Sequence, residues 1–332
     1  MVRQEDIARI LNVSRTTVAR ALNGKGNIKP ETKKRILDLC EELGYVKNPI
    51  STSLALKNEK NIYAFIIKGR NNYYTDTIKR GLRAAYKEMS MYKLNLFIVE
   101  THIDFPEEQI ERLKKVIRQK QVDGIIITPL LKEEIKKIKI DNPNISFIAL
   151  DLPLDRGTIS IYSNYNKLGR ILGNLLLNSL EKGEKILLLE TEDDMISAKD
   201  SFNGLYQKLL EERKNDIVGP IFISDLEKNI SEVINKYLIK DIKAVYASRF
   251  LENIIEYIFE KDEHELKIVT IGLSDKIKKF INEDKVMASV TPDYFKMSYT
   301  AINMMFECIY RGIKPDKIKN EHEFKITVKE NL

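Results

Sequence analysis

The chain has 332 residues, 43% hydrophobic and 31% charged, with a formal net charge of +6. That length exceeds one ordinary core and calls for two or three folding units of soluble globular composition. No apolar run approaches the ~18 residues a membrane span needs, and Met1-Val2-Arg3-Gln4-Glu5-Asp6 lacks the apolar core of a secretion leader, so a cytoplasmic protein is expected. Two cysteines, Cys40 and Cys308, and three histidines leave little for a disulfide or a metal site, and neither metal nor cofactor is expected.

The charge is unevenly placed. Residues 1–60 hold 12 Lys/Arg against 7 Asp/Glu, whereas the other 272 hold 43 against 42. A compact basic head suits a polyanion, because each neutralised phosphate releases counterions. Charge alone does not separate that reading from an incidental surplus of lysine.

Residues 4–11 place apolar side chains at 7, 8, 10 and 11, the pattern of a short amphipathic helix. Asn12 then suits the left-handed backbone of a tight turn, and Val13 plugs the space between helices. Ser14 is a good N-cap for a second helix through Leu22, with Val18, Ala21 and Leu22 inward. The opposite face carries Arg15, Thr16, Thr17 and Arg20, side chains suited to base edges and phosphates. Pro30 opens a third helix that runs to Leu43 and ends at Gly44. Helix, short turn, helix, loop, helix is the helix-turn-helix plan, whose second helix enters the major groove.

Over about forty residues the head resembles that of the lactose-repressor (LacI/GalR) family of transcription regulators. The residues that carry the resemblance are Asp6-Ile7-Ala8, Val13-Ser14, Thr17-Val18-Ala19-Arg20, Leu22-Asn23-Gly24, Thr32 and Leu43-Gly44-Tyr45. The resemblance implies that Arg15, Thr16 and Arg20 face bases, and that Ser14, Thr17 and Asn23 bind phosphates or anchor the helix. Ala19 departs from the usual Ser, which removes one phosphate contact. It also implies a hinge helix and linker over residues 47–60. Asn48 would cap it ahead of Pro49, and Leu54 would wedge into the minor groove once the hinge pairs with its dimer mate. Pro49 and Thr52 stand where the family usually has Ala and Arg.

From residue 61 strands and helices alternate. Apolar runs at 62–67, 94–99, 123–128 and 146–150 are separated by helical patterns at 75–90, 107–120 and 133–139. The alternation resumes at 159–162, 185–190, 217–224, 244–248 and 267–272. Strands buried on both faces and joined by helices make parallel sheets, and two rounds make two similar lobes. The expected fold is therefore an all-α head, residues 1–46, on an α/β sensor, residues 61–332. By its resemblance to the family's periplasmic-binding-protein-like sensor, the chain crosses between lobes about three times, lastly near 288–293. Lobe 1 is then expected over about 61–157 and 294–318, and lobe 2 over about 158–290.

Ligands of open parallel sheets bind beyond the carboxyl ends of the strands, here between the lobes. That rule nominates Arg70, Asn71, Tyr73, Tyr74, His102, Pro129 and Asp151 in the first lobe. In the second it nominates Asn164, Lys199, Arg249, Ser274 and Asp275. Aromatic faces and fixed donors suit a sugar or polyol. Several positions depart from the family pattern: Asn164 for a common Asp, Ser201 for an Arg, Ser248-Arg249 for Asn-Asp, and Leu273-Ser274 for Phe-Asp. The lost acids, with Arg249, Lys199 and Arg70, keep a phosphorylated or carboxylated effector equally open, and a silent cleft that binds nothing is the third reading.

No dinucleotide-binding, phosphate-loop or nucleophile-elbow motif is present, so an enzyme is not expected. His264, inside Lys-Asp-Glu-His-Glu, reads as a solvated turn. Met297, Met304 and Met305 lie at helical spacing and read as core or subunit interface. The resemblance implies a repressor of carbohydrate use that binds a palindromic DNA operator as a homodimer and responds to a small effector, as inducer or corepressor. No membrane partner is expected.

Overall fold

The computed structural model describes residues 4–23, 28–43, 59–69, 72–191, 196–223, 226–239, 241–261, 265–312 and 319–332. The head is three helices: α1 (Gln4–Ile10), α2 (Arg15–Asn23) and α3 (Pro30–Glu42). Asn12 takes the left-handed φ of 51° that the turn requires. Val13 N–H then donates to the Ala8 carbonyl at 2.9 Å, locking α1 to the turn. Ile7, Ala8, Val18, Ala21, Ile36 and Cys40 close a small core between the helices.

The sensor holds two sheets of one plan. The first runs through β1 (Lys60–Lys68), β2 (Leu94–His102), β3 (Gly124–Ile127), β4 (Ser146–Asp151) and β5 (Ile159–Tyr162), with β11 (Lys319–Glu321) at its far edge. The order is β11-β5-β4-β3-β1-β2, all parallel. The second runs through β6 (Lys185–Thr191), β7 (Asp216–Ile223), β8 (Ile242–Ala247), β9 (Lys267–Ile271) and β10 (Ala288–Pro292), with β12 (Phe324–Thr327) antiparallel to β10. Its order is β12-β10-β9-β8-β6-β7. In each lobe the strand order reverses at the first strand: β1 lies between β2 and β3, and β6 lies between β7 and β8.

Helices cover both faces of each sheet, which is why β1 is buried from Ile62 to Ile67. In lobe 1, α4 (Asn72–Glu88) and α12 (Tyr294–Arg311) pack on one face through Ile78, Leu82, Met297 and Met305. The other face takes α5 (Pro106–Gln119) and α6 (Lys132–Asp141). In lobe 2, α7 (Tyr165–Ser179) and α8 (Ile196–Glu212) cover one face. The other is covered by α9 (Leu226–Tyr237), α10 (Leu251–Lys261) and α11 (Asp275–Asn282). Met297 and Met305 are fully buried core, as their spacing suggested. Among the described residues no helix is long and apolar enough to cross a membrane.

The lobe boundaries need correction in two places. Residues 159–162, expected to open lobe 2, pair with β4 (Ile148 with Ile159, Leu150 with Ile161) and belong to the first sheet. The last crossing is not near 288–293; that is the second, followed by a return at 322–323 between β11 and β12. These end strands are three and four residues long, the first wholly polar and the second polar on alternate positions, so they carry little apolar signal. The hinge residues Asn48 and Leu54, and also Arg70, lie outside the described residues.

Candidate functional site

In the head, the Ser14 Oγ accepts the Thr17 N–H at 3.0 Å and lies 2.8 Å from the Thr17 hydroxyl. This cap fixes the start of α2 and leaves Arg15, Thr16 and Arg20 exposed on its outer face. Arg15 was expected to stand free; it instead pairs with Glu5 of α1, Nε to Oε1 at 3.0 Å, with 66% of its side chain exposed. A surface pair of this kind contributes ~0–1 kcal/mol, so it does not lock the arginine in place. Asn23 ends α2.

Between the lobes lies a cavity of about 830 Å³. Its walls come from the carboxyl ends of the strands flanking each reversal of strand order, where the crossover helices diverge and leave a crevice. From lobe 1, Tyr73 and Tyr74 follow β1, Thr128 and Pro129 follow β3, and Asp151 ends β4. From lobe 2, Ser197 and Ser201 start α8, while Ser248 and Arg249 follow β8.

At the cavity floor Asp151 is 6% exposed and sits at a left-handed φ of 70°. Tyr165 donates its hydroxyl to Asp151 Oδ1 at 2.8 Å, and the Tyr294 hydroxyl lies 3.3 Å from that of Tyr165. The Tyr74 and Tyr294 rings meet edge to face at 4.8 Å, and the Tyr74 hydroxyl lies 3.3 Å from Thr128 Oγ1. Burial pushes the Asp151 carboxyl up to about 6, while hydrogen bonds from Tyr165 and Tyr74 hold it back from rising further. Burial, and then the nearby Asp151 charge, raise Tyr74 and Tyr165 well above the usual phenol range. On the opposite wall, burial pushes Tyr246 up to about 12, against a hydrogen bond with Ser201.

The structure gathers Tyr73, Tyr74, Pro129, Asp151 and Arg249 around this cavity and leaves five other nominated residues, His102, Asn164, Lys199, Ser274 and Asp275, outside its lining. Asn164 is the N-cap of α7, its Oδ1 accepting the Lys167 N–H at 3.1 Å. Lys199 is exposed on α8, because helical periodicity turns Ile196, Ser197, Ala198 and Ser201 inward. Asp275 opens α11 facing solvent, its side chain 98% exposed and 2.8 Å from Lys278. The preceding Ser274 caps that helix and donates to Glu252 at 2.6 Å. Sequence reasoning missed Tyr165 and Tyr294. Their available signal was position: each is the first helical residue after a crossing between lobes.

Fold and sites together define a class: a helix-turn-helix head on a two-lobed sensor of periplasmic-binding-protein type, with a ligand-sized cavity between the lobes. Residues 63–311 match the periplasmic binding protein domain and residues 5–48 match the bacterial regulatory proteins of the lacI family. The chain therefore belongs to the periplasmic binding protein domain family through its sensor and carries a lacI-family helix-turn-helix head. Over 137 residues it is 34% identical to catabolite control protein A of Priestia megaterium, covering 40% of each chain. Over 211 residues it is 28% identical to the HTH-type transcriptional regulator RegA of Clostridium saccharobutylicum, covering 63% of this chain and 60% of that one. The matches thus span about two-fifths to three-fifths of these relatives' length. The Lac repressor dimer, solved with operator and the anti-inducer ONPF, superposes with a TM-score of 0.65 at 15% identity, covering 99% of this chain and 98% of that one. At that identity the likeness concerns the fold.

Proposed function

We propose that the chain is a cytoplasmic, sequence-specific DNA-binding repressor of a carbohydrate-utilisation operon, not an enzyme. It reads a palindromic operator as a homodimer and is modulated by a small effector between its lobes. The observation that carries this reading is the outer face of α2: a capped helix with Arg15, Thr16 and Arg20 exposed side by side, opposite a closed core. Arginine pairs bidentately with guanine, and Thr17 and the capped helix start suit phosphate. One such head covers a single half-site, so two-fold pairing is required to read a full operator. Asn23, Asn48 and Leu54 complete the DNA contacts in this reading.

For the effector, Tyr73 and Tyr74 offer ring faces, and Asp151 offers an acceptor for hydroxyls. That combination fits a sugar or polyol. Arg249 is the one cation among the described lining residues and gives a phosphorylated sugar its anchor. Linkage requires that operator and effector affinities change reciprocally, as inducer or as corepressor.

The test is selection of genomic fragments on the full chain, followed by footprinting. A protected palindrome, whose affinity shifts with one member of a panel of sugars and sugar phosphates, is the expected result. Retention of fragments without any shared palindrome would remove the repressor reading.

A further inference from the structure

α5 starts at Pro106 on the cavity and turns Gln109 inward, fully buried next to the core residues Ile110 and Leu113. Burying a carboxamide costs free energy unless its polar atoms find partners. Here both ends are engaged. Nε2 donates to the Thr128 carbonyl at 3.1 Å and to Thr101 Oγ1 at 3.4 Å, and Oε1 accepts the Leu130 N–H at 3.2 Å. Those partners lie where the sheet runs out. The ladders of β3 with β1 and β4 end at Ile127, and the Thr128 N–H then donates to the Phe65 carbonyl at 3.1 Å. Farther on, the Leu131 carbonyl accepts the Ile135 N–H of α6 at 3.1 Å. The Thr128 carbonyl and the Leu130 N–H fall between these two anchors, with Pro129, which has no N–H, separating them.

We propose that Gln109 is the positioning residue of the lobe 1 wall: its buried carboxamide stands in for a missing strand and holds residues 128–131 against the cavity before any ligand arrives. All four of those residues line the cavity. Thr128 carries the connection onward to the floor, its Oγ1 lying 3.3 Å from the Tyr74 hydroxyl. Through Thr101 at the end of β2 and Thr128 after β3, Gln109 joins the ends of the two strands that flank β1.

The chemistry of the two backbone groups singles out a carboxamide. A carbonyl and an N–H two residues apart need a donor and an acceptor on one planar group, as a neighbouring peptide would offer. An ionised Glu lacks the donor, Asn is one methylene shorter, and Leu or Met would leave both backbone groups unpaired. A wall set in advance spares a ligand the entropy of ordering it. That benefit rests on the cavity being the effector site, whereas the placement of the wall can be measured with no effector present.

The test is hydrogen exchange at single amides of the full chain at pH 5, read by nuclear magnetic resonance. In the parent, the Gln109 side-chain amide protons should exchange about 100-fold more slowly than those of Gln119, which is exposed. Gln109→Met keeps the length of the side chain and removes both polar groups. The protection of the Leu130 amide, taken relative to that of Ile126 within β3, should then fall by about tenfold or more. Gln109→Glu should restore the ratio to within about threefold of the parent, because burial and the Thr128 carbonyl keep the new carboxyl neutral at this pH. A neutral carboxyl both donates and accepts. A general loss of stability would instead lower Leu130 and Ile126 together and would not separate Glu from Met. Equal falls at the two amides, or equal falls in the two variants, overturn the proposal. If Gln109→Met fails to fold, Gln109 side-chain protons that exchange as fast as those of Gln119 in the parent overturn it alone. A failure to bind sugars would count against the effector reading and leave this result standing.

Discussion

Gly169 of α7 touches the Ser201 carbonyl of α8 so closely that a methyl group at Gly169 would overlap it. The contact is reciprocal, since a methyl at Gly204 would overlap the Asn166 carbonyl. Two backbones in contact set the separation of these helices, and their amino ends carry Tyr165 and Ser201 to the cavity. Gly169→Ala should therefore cost at least the ~1–3 kcal/mol of an overpacked core, because backbone cannot step aside as a side chain can. Differential scanning calorimetry should show the sensor transition fall by several degrees. Gly157→Ala serves as control, since its nearest neighbour would be 3.5 Å away, an ordinary contact. An unchanged transition in Gly169→Ala would mean that α7 and α8 separate freely.

Asp151 makes stability depend on pH in an unusual direction. Its folded value, about 6, exceeds its unfolded value of 3.8. The folded state then binds the proton more tightly, so the contribution is fully present below about pH 4 and is lost as pH rises through 6. Asp151→Asn should abolish that fall. At pH 7 it should be more stable than the parent by on the order of 3 kcal/mol, and near pH 3.5 the two should coincide. Urea unfolding of both proteins across this range checks the sign; parallel curves would show that Asp151 titrates as an ordinary carboxyl.

Arg20 and Ile36 separate reading DNA from building the reader. Arg20 is exposed on α2, whereas Ile36 is fully buried at the centre of the head. Arg20→Ala should weaken binding to the selected palindrome by about 10- to 100-fold, the worth of one bidentate base contact of ~1–3 kcal/mol. Hydrogen exchange of the head should not change. Ile36→Ala should cost ~2–5 kcal/mol, enough to unfold so small a core and to lose DNA binding and exchange protection together. Anisotropy titration with labelled operator, beside exchange mass spectrometry, reads both. Full operator affinity in Arg20→Ala would refute its role at a base.

Most of the scaffold was legible because local chemistry and global pattern agree. Asn12, Ser14 and Pro30 each carry a backbone preference that survives any context, and each sits where that preference is used. Strands such as Ile62–Ile67 announce themselves by continuous apolar runs, as strands covered on both faces must. What stayed hidden depends on pairing partners. Ile159–Tyr162 is apolar enough for either lobe, and only its register with Ile148 and Leu150 assigns it. Lys199 and Asp275 lie near the right strand ends, yet helix phase turns them to solvent, and phase shifts by 100° with each residue of uncertainty in a helix start. Tyr165 packs with the lobe 2 core. Its partner Asp151 is fourteen residues away in sequence and belongs to the other lobe.

Arg249 brings a positive charge to the cavity lining. It follows β8 on the lobe 2 wall and lies over the Phe250 ring, 5.3 Å from its centre. The rest of the lining combines aliphatic side chains with hydroxyls, rings, Asn253 and the acids Asp104, Asp151 and Glu252. A phosphorylated sugar in such a cavity has its hydroxyls served by the floor and its charge served by Arg249 alone among the described lining residues. Hydrogen bonds to charged groups contribute ~1.5–3 kcal/mol. Arg249→Ala should therefore weaken a phosphorylated sugar by about 10- to 100-fold while changing its unphosphorylated counterpart by less than about threefold. Calorimetric titration of each sugar pair against parent and variant reads this ratio directly. Equal losses for both members of a pair would mean that Arg249 shapes the wall without reading charge, and binding of neutral sugars only would exclude a phosphorylated effector.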